Sequence, residues 1–423
     1  MLASTAASPE QHGDYLATLF YDSEVSAEAY LEACKDWSRR HAPPLGAVSF
    51  PHVANPSRTL RIGYASAHFS FHVVGRLLLP LLRHHDPASF AIHCYSATKV
   101  PDPNTQRLRA CGGVWRDITD QSIPEVAEQI KRDRIDILVD TTGHFGGSLL
   151  PLFALRPAPI QVTHFGHFST TGLDAMDYRF TDSLTDPPPD ADRYNHEKLI
   201  RLDPCAYCYL PEEPVPTASP PPALANGFVT FGCLNNLVKM TDPCVQLWSR
   251  VLRAVPRSKL TLLAAGDEES QRYTRARFIH HGIDGNRLEL LGKCSHEEYL
   301  KRFDRIDIAL DPFPYNGDNT ACDGLWCGVP LLTLAGTWSI ARRGISHLTA
   351  IGMEEWIART PDEYVAKAAA FAGDLKHLAD VRKTLRQRMQ ASPLCDAAGF
   401  AQKVEAAYRA MWARWCKAQE TDS

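Results

Sequence analysis

The stretch IDIALDPFPYNGDNTACDGLWCGVPLLTLA, residues 306–335, decides the fold. It opens on a short apolar run, 306–311, that reads as a buried strand. Pro312, Pro314 and Gly317 then break the chain. A helical pattern follows over 319–327, and a second buried strand over 330–335. Strand, loop, helix and strand in that order belong to a parallel sheet covered on both faces.

The same alternation extends in both directions. Upstream, the strand-like runs are 228–234, 259–265 and 288–291, with helical stretches at 243–255, 268–281 and 296–305. Downstream, 361–390 is helical, and 397–417 is amphipathic with Phe400, Val404, Ala407, Tyr408, Met411 and Trp415 inward. Before this block stands PEEPVPTASPPP, residues 211–222, where six prolines in twelve residues exclude a central strand or a helix. Ahead of that connector lies another set of strands at 60–66, 90–96, 136–141, 159–165 and 198–202, with a helix over 124–134. Residues 13–42 are helical and end at Pro43 and Pro44. No segment recurs at a fixed period, so no repeat array is expected. The expected order is an N-terminal helical segment (1–54), a first Rossmann-like domain (55–210), a Pro-rich linker (211–227), a second Rossmann-like domain (228–392) and a C-terminal helix (393–423). Ligands in such sheets bind beyond the carboxyl ends of the strands, here in a cleft between the domains.

Composition narrows the function classes. In 423 residues, 45 Lys and Arg stand against 49 Asp and Glu, a net charge of −4, which argues against nucleic-acid binding. Hydrophobic residues at 44% and charged residues at 22% describe a globular chain and exclude disorder. No apolar run of about 18 residues occurs, so no membrane span is expected. The start, MLASTAASPEQHGDY, lacks a signal peptide's basic and apolar regions. Twelve scattered cysteines in a chain this long read as thiols of a reducing, cytoplasmic compartment. The one Cys-x-x-Cys, Cys205 to Cys208, has no second ligand pair, so no metal site is expected.

Several strand ends carry chemistry. At Asn319 a helix begins after Gly317, and its free N–H groups suit a phosphate, with Thr320 adding a hydroxyl and Asp323 a carboxylate for ribose. The same residues also read as a plain helix start with Asp318 or Asn319 as cap. In FGCLNNLVKMTDP, 231–243, Lys239 leaves a strand's carboxyl end, placed to neutralise phosphate or simply solvated. In GYASAHFSFHVVGR, 63–76, His68 and His72 follow the first strand, where a histidine can orient a hydroxyl, take a proton or serve structure alone. The loops 141–147 and 166–172 carry glycines and threonines suited to a ligand or to turns. The pairs His84–His85 and His280–His281 read as solvated helix ends.

Together these segments resemble the catalytic region of protein O-linked N-acetylglucosamine transferases and SPINDLY-type proteins. The resemblance rests on LRIGYASAHFSFH (60–72), RIDILVDTTGH (134–144), LFALRPAPIQVTHFG (152–166), FGCLNNLVKMTDP (231–243), EEYLKRFDRIDIALDPFPYNG (297–317) and CDGLWCGVPLLTLAG (322–336). It implies a GT-B fold and inverting, metal-independent transfer from a nucleotide sugar, UDP-N-acetylglucosamine first, to Ser or Thr hydroxyls of proteins. GDP-fucose or UDP-glucose as donor, and a non-catalytic nucleotide-binding scaffold, are the alternatives. By position the resemblance makes His72 the active-site histidine, Lys239 the diphosphate contact and Asn236 a nucleotide contact. Cys294, Ser295 and His296 then hold the uracil, followed by Tyr299 and Arg302. Thr320 binds phosphate, Asp323 binds ribose, and Asp133 is a rival base.

Two departures stand out. Asp318-Asn319-Thr320 replaces a His-Thr-Thr or Gly-Thr-Thr run, and a carboxylate at Asp318 repels a pyrophosphate unless it points away or caps the helix. GHFSTTG, 166–172, replaces a Tyr-Pro-Gly pattern. The tandem helical repeats of the family are not expected within this length, so acceptor choice falls to the cleft or to a partner.

Overall fold

A computed structural model describes residues 7–46, 48–211, 219–263 and 267–421. The chain divides into two compact units: Met1–Leu19, Val25–Leu210 and Asp396–Ser423 form one, and Phe20–Glu24 with Pro211–Cys395 the other.

The first unit contains strands β1 (Leu60–Ser66), β2 (Phe90–Ser96), β3 (Val114–Asp117), β4 (Ile137–Asp140), β5 (Ile160–Thr163), β6 (Tyr178–Thr181) and β7 (Lys198–Arg201). They pair in parallel in the order β3-β2-β1-β4-β5-β6-β7. Its helices are α1 (Pro9–Thr18), α2 (Ala27–His41), α3 (Val73–His84), α4 (Pro103–Arg109), α5 (Ile123–Arg132) and α6 (Leu150–Ala154). The helical segment 13–42 forms a pair of helices, each started by a serine cap, Ser8 and Ser26.

The second unit contains α7 (Ala223–Asn226), β8 (Thr230–Cys233), α8 (Asp242–Ala254), β9 (Lys259–Leu263), α9 (Glu268–His280), β10 (Leu288–Leu291), α10 (His296–Arg302) and β11 (Ile308–Leu310). It continues through α11 (Asn319–Trp326), β12 (Leu331–Leu334), α12 (Arg343–Ala350), β13 (Ile357–Ala358), α13 (Pro361–Gly373) and α14 (Leu375–Gln390). Its strands lie in the order β10-β9-β8-β11-β12-β13, again all parallel. Leu234, Leu300, Phe303, Ile306, Cys327 and Val329 pack into one apolar core there. Of the Pro-rich connector, 212–218 lie outside the described residues, and Ser219 is tied to the second unit through Asp304 at 3.0 Å.

Both sheets reverse strand order between their first and fourth strands, the topology of a Rossmann-like domain. The units share a sequence device at that point. Arg134-Ile-Asp-Ile-Leu-Val-Asp140 builds β4, and Arg305-Ile-Asp-Ile-Ala-Leu-Asp311 builds β11. The first Asp of each anchors the strand's start. Asp136 accepts from the Arg61 N–H at 2.7 Å, and Asp307 from the Thr230 N–H at 2.8 Å. The Ile before it presses on a glycine of the first strand. A Cβ on Gly232 would lie 2.4 Å from Ile306, which fixes glycine there.

The last helix, α15 (Ala397–Thr421), returns to the first unit and packs on α3. The Tyr408 hydroxyl meets that of Tyr64 at 3.1 Å, and Trp412 donates to the Asn55 carbonyl at 2.9 Å. His85 belongs to this contact. It is buried between the Tyr64 hydroxyl (2.8 Å) and Glu405 (2.9 Å), not a solvated helix end. His280 is exposed, as expected.

Candidate functional site

In the second unit the carboxyl edge of the sheet gathers three loops. The one after β8 carries Asn236 and Lys239 on a short 3-10 turn, and Asn236 caps that turn by accepting from the Val238 N–H. Lys239 is not a solvated surface lysine. Its Nζ donates to the Asn316 carbonyl at 2.7 Å and stands 3.8 Å from the centre of the Tyr315 ring. Burial pulls its ammonium down to about 8, against the opposing pull of Asp318 and Asp311. Asp311 ends the fourth strand, and burial pushes its carboxyl up to about 7. It accepts from the Gly317 N–H and the Thr333 hydroxyl, both at 2.7 Å.

The loop after β11 leads into α11. Asp318 occupies the position before the helix without capping it. Its carboxylate lies 3.3 Å from the Arg343 guanidinium and 3.3 Å from His347 of α12, all three buried. Burial pushes His347 down to about 3, so Arg343 supplies the compensating charge. The carboxylate that departs from the family pattern is therefore neutralised in place. Asn319 overturns the cap reading too. Its side chain is 4% exposed, and neither its amide oxygen nor its amide nitrogen has a hydrogen-bond partner. A buried, unpaired carboxamide is costly, and here it sits on a helix turn whose N–H groups are also unspent. Thr320 is half-buried beside it, and Asp323 is buried one turn on.

The loop after β10 completes the edge. Ser295 caps α10, Cys294 is exposed, and His296 stacks on Tyr299 with ring centres 5.7 Å apart. Arg302 holds the loop by donating to the Gly292 carbonyl at 2.5 Å. Two strand spacings separate β10 from β8, about 10 Å.

In the first unit His72 precedes α3 and caps it, its Nδ1 accepting from the Val74 N–H at 3.3 Å. It stacks on His68 at 4.1 Å, and His68 Nε2 donates to the Gly146 carbonyl at 2.7 Å. One edge of the His72 ring is open to solvent, yet surrounding protein and then His68 push it down to about 4. The ring is neutral at pH 7, with its proton on Nε2. In that tautomer the Nε2–H can donate.

Asp133 does not join this group. It caps the carboxyl end of α5, where the chain turns into β4, so it lies at the amino edge of the sheet, opposite His72. Arg116 grips it with two hydrogen bonds of 2.6 Å, and Tyr95 (2.7 Å) and Gln129 (3.0 Å) add two more. Burial opposes ionisation, but these donors hold the carboxyl below its usual range. Side chains of the loop 166–172 are engaged within the unit. His167 is bonded to the Tyr30 hydroxyl of α2 at 2.9 Å, and Thr170 to Glu197 at 2.7 Å. Cys205 and Cys208 are buried, and among the described residues no group of three or more His, Cys, Asp or Glu could hold a metal.

The geometry has a close counterpart. A Lys-to-Met mutant of the Thermobaculum terrenum O-GlcNAc transferase superposes with a TM-score of 0.93 at 36% identity, over 97% of this chain and 79% of that one. The fold is that of a GT-B glycosyltransferase built from two Rossmann-like domains. The chain belongs to glycosyl transferase family 41, whose model matches residues 41–208 and 209–404. It is 38% identical over 415 residues to the probable UDP-N-acetylglucosamine–peptide N-acetylglucosaminyltransferase SPINDLY of Arabidopsis thaliana, covering 96% of this chain and 45% of the relative. The probable SEC transferase of the same plant is 30% identical, over 86% of this chain and 38% of that one. The chain thus spans less than half the length of these curated relatives. No helix among the described residues is long and apolar enough to cross a membrane.

Proposed function

We propose that this chain is the catalytic region of an inverting, metal-independent glycosyltransferase that moves N-acetylglucosamine from UDP-N-acetylglucosamine to Ser or Thr hydroxyls of proteins in the cytoplasm. The observation that carries the reading is the pairing of Lys239 with the unspent first turn of α11, where Asn319 is buried without a partner. As the glycosidic bond breaks, negative charge grows on the departing nucleoside diphosphate. The Lys239 ammonium and the N–H groups of Asn319 and Thr320 supply fixed positive potential for it. Asp323 suits the ribose hydroxyls, and the loop of Cys294, Ser295 and His296 with Tyr299 suits the base. Asn236 and Arg302 hold their loops in shape.

His72 orients the acceptor oxygen through Nε2–H. A base must come from elsewhere, such as an oxygen of the donor's own phosphate, since Asp133 is bound at the wrong edge. The names of the relatives support the sugar and the protein acceptor. The Asp318–Arg343 pair makes the donor the point to test. Purified chain is incubated with UDP-N-acetylglucosamine, UDP-glucose and GDP-fucose, with nucleotide release and melting temperature measured. Release from the first donor, undiminished by EDTA, supports the reading. Release from another donor alone reassigns the sugar. Stabilisation without release identifies a non-catalytic scaffold, and neither effect with any nucleotide overturns the reading.

A further inference from the structure

Each sheet ends its fourth strand on a buried Asp that lies in register with a Thr on the fifth. Asp140 pairs with Thr163 across β4 and β5, and Asp311 stands beside Thr333 one step past the Leu310–Leu332 pair. In both units the threonine hydroxyl donates to the carboxylate, at 2.8 Å in the first and 2.7 Å in the second. In both, the other bonds come from the loop that follows. Thr142 and Gly143 N–H groups reach Asp140 at 3.1 and 3.0 Å, and the Gly317 N–H reaches Asp311 at 2.7 Å. That loop then offers a carbonyl to a side chain arriving from the first strand: Gly146 to His68, Asn316 to Lys239, each at 2.7 Å. The cradle is tight. A Cβ on Gly344 would lie 2.4 Å from the Thr333 hydroxyl and 2.6 Å from Asp311.

We infer that Asp140 and Asp311 are equivalent positioning residues, each fixing the loop that aims its unit's working side chain, His72 through its stack on His68 in the first and Lys239 in the second. Neither carboxylate touches substrate. Each carboxyl accepts from backbone N–H groups that would otherwise be free to move with the loop. The inference rests on the function proposed above, with the second unit binding the donor and the first serving the acceptor.

Asp311→Asn and Thr333→Val, with Asp140→Asn and Thr163→Val, are made in the full chain. Initial rates are measured against donor and against acceptor, and UDP binding by calorimetry. The Asp311 and Thr333 variants should raise the donor KM and weaken UDP by up to about tenfold, as expected for one lost hydrogen bond, with the acceptor KM unmoved. The Asp140 and Thr163 variants should raise the acceptor KM and leave UDP binding as in the parent. Thr333→Ser, which keeps the hydroxyl, should restore the donor KM. The inference is overturned if the variants merely melt at lower temperature with both KM values unchanged. It is equally overturned if both pairs shift the same substrate, or if Thr333→Ser behaves like Thr333→Val. A parent chain that neither binds nor turns over any nucleotide sugar refutes the functional reading instead.

Discussion

Lys239 is mostly charged at neutral pH, with a pKa of about 8 leaving about nine-tenths protonated at pH 7. Because the protonated form does the work, kcat/KM should fall as pH rises through about 8, while bound diphosphate should move the corresponding limb of kcat higher. Lys239→Ala should cost about 2–4 kcal/mol of barrier, read as a loss of roughly 30- to 1,000-fold in turnover with the limb at 8 gone. Asp133 makes the opposite case. Its folded pKa is depressed, so its contribution to stability is present above the ordinary carboxylate pKa and lost as pH falls through the folded value. Asp133→Asn should lower stability by about 1 kcal/mol, discounted because Arg116 is partly exposed, and should leave kcat/KM near the parent's. A large loss of turnover with full stability would restore Asp133 as a base. Residue type and strand-end position pointed to Lys239 and His72 in the sequence. The Nδ1 cap that makes His72 a donor, and the four bonds that withdraw Asp133, depend on partners no local pattern reveals. Arg343, the partner of Asp318, lies 25 residues on in a different helix.

Strands were legible where an apolar, β-rich run stands out from its flanks, including the half-exposed edges β7 and β10. β1 and β2 fall at 60–66 and 90–96 as read, because each is an unbroken β-rich run in the middle of a sheet. β3 was missed because only Val114 and Trp115 of its four residues are apolar, and β13 because it is two residues long. β6 was hidden by Arg179, a buried guanidinium whose Asp186 partner at 2.7 Å stands outside the strand. The short copy of one strand motif in the other sheet escaped a search for periodic repeats, since two copies 171 residues apart make no array. Helices α1, α2 and α15, at the two ends of the chain, carry much of the first unit's packing. Tyr30, Trp37, Tyr408 and Trp412 are all fully or almost fully buried. Trp412→Ala removes a ring on which the Arg58 guanidinium stacks at 4.3 Å, together with an indole N–H bond to Asn55. Its expected cost is about 3–5 kcal/mol in chemical denaturation, with UDP affinity of the surviving folded chain unchanged. A cost under about 1 kcal/mol would show α15 to be dispensable.

For the whole molecule, two units of the same topology raise the question of which one takes the nucleotide. Both have a switch point between first and fourth strands, and both hold it with the same Asp–Thr device. They differ in charge and in unspent polar groups. The first unit's edge offers two imidazoles whose Nδ1 or Nε2 atoms already bond to backbone, a buried Thr142 hydroxyl without a partner and, among the described residues, no ammonium like that of Lys239. The second offers an ammonium, a helix N-terminus and a buried carboxamide without a partner. An anion gains more from the second, because each of those groups is favourable to negative charge and little of their hydrogen-bonding capacity is used. Saturating UDP, at about 100 times its Kd, should stabilise the state that binds it by about 2.7 kcal/mol. Hydrogen exchange locates that gain: amides at 235–240, 292–296 and 316–323 should slow, while those at 67–72 and 141–147 keep their rates. Protection confined to the first unit's loops would reverse the assignment of donor and acceptor sides. It would also move the charge that stabilises the leaving group away from Lys239.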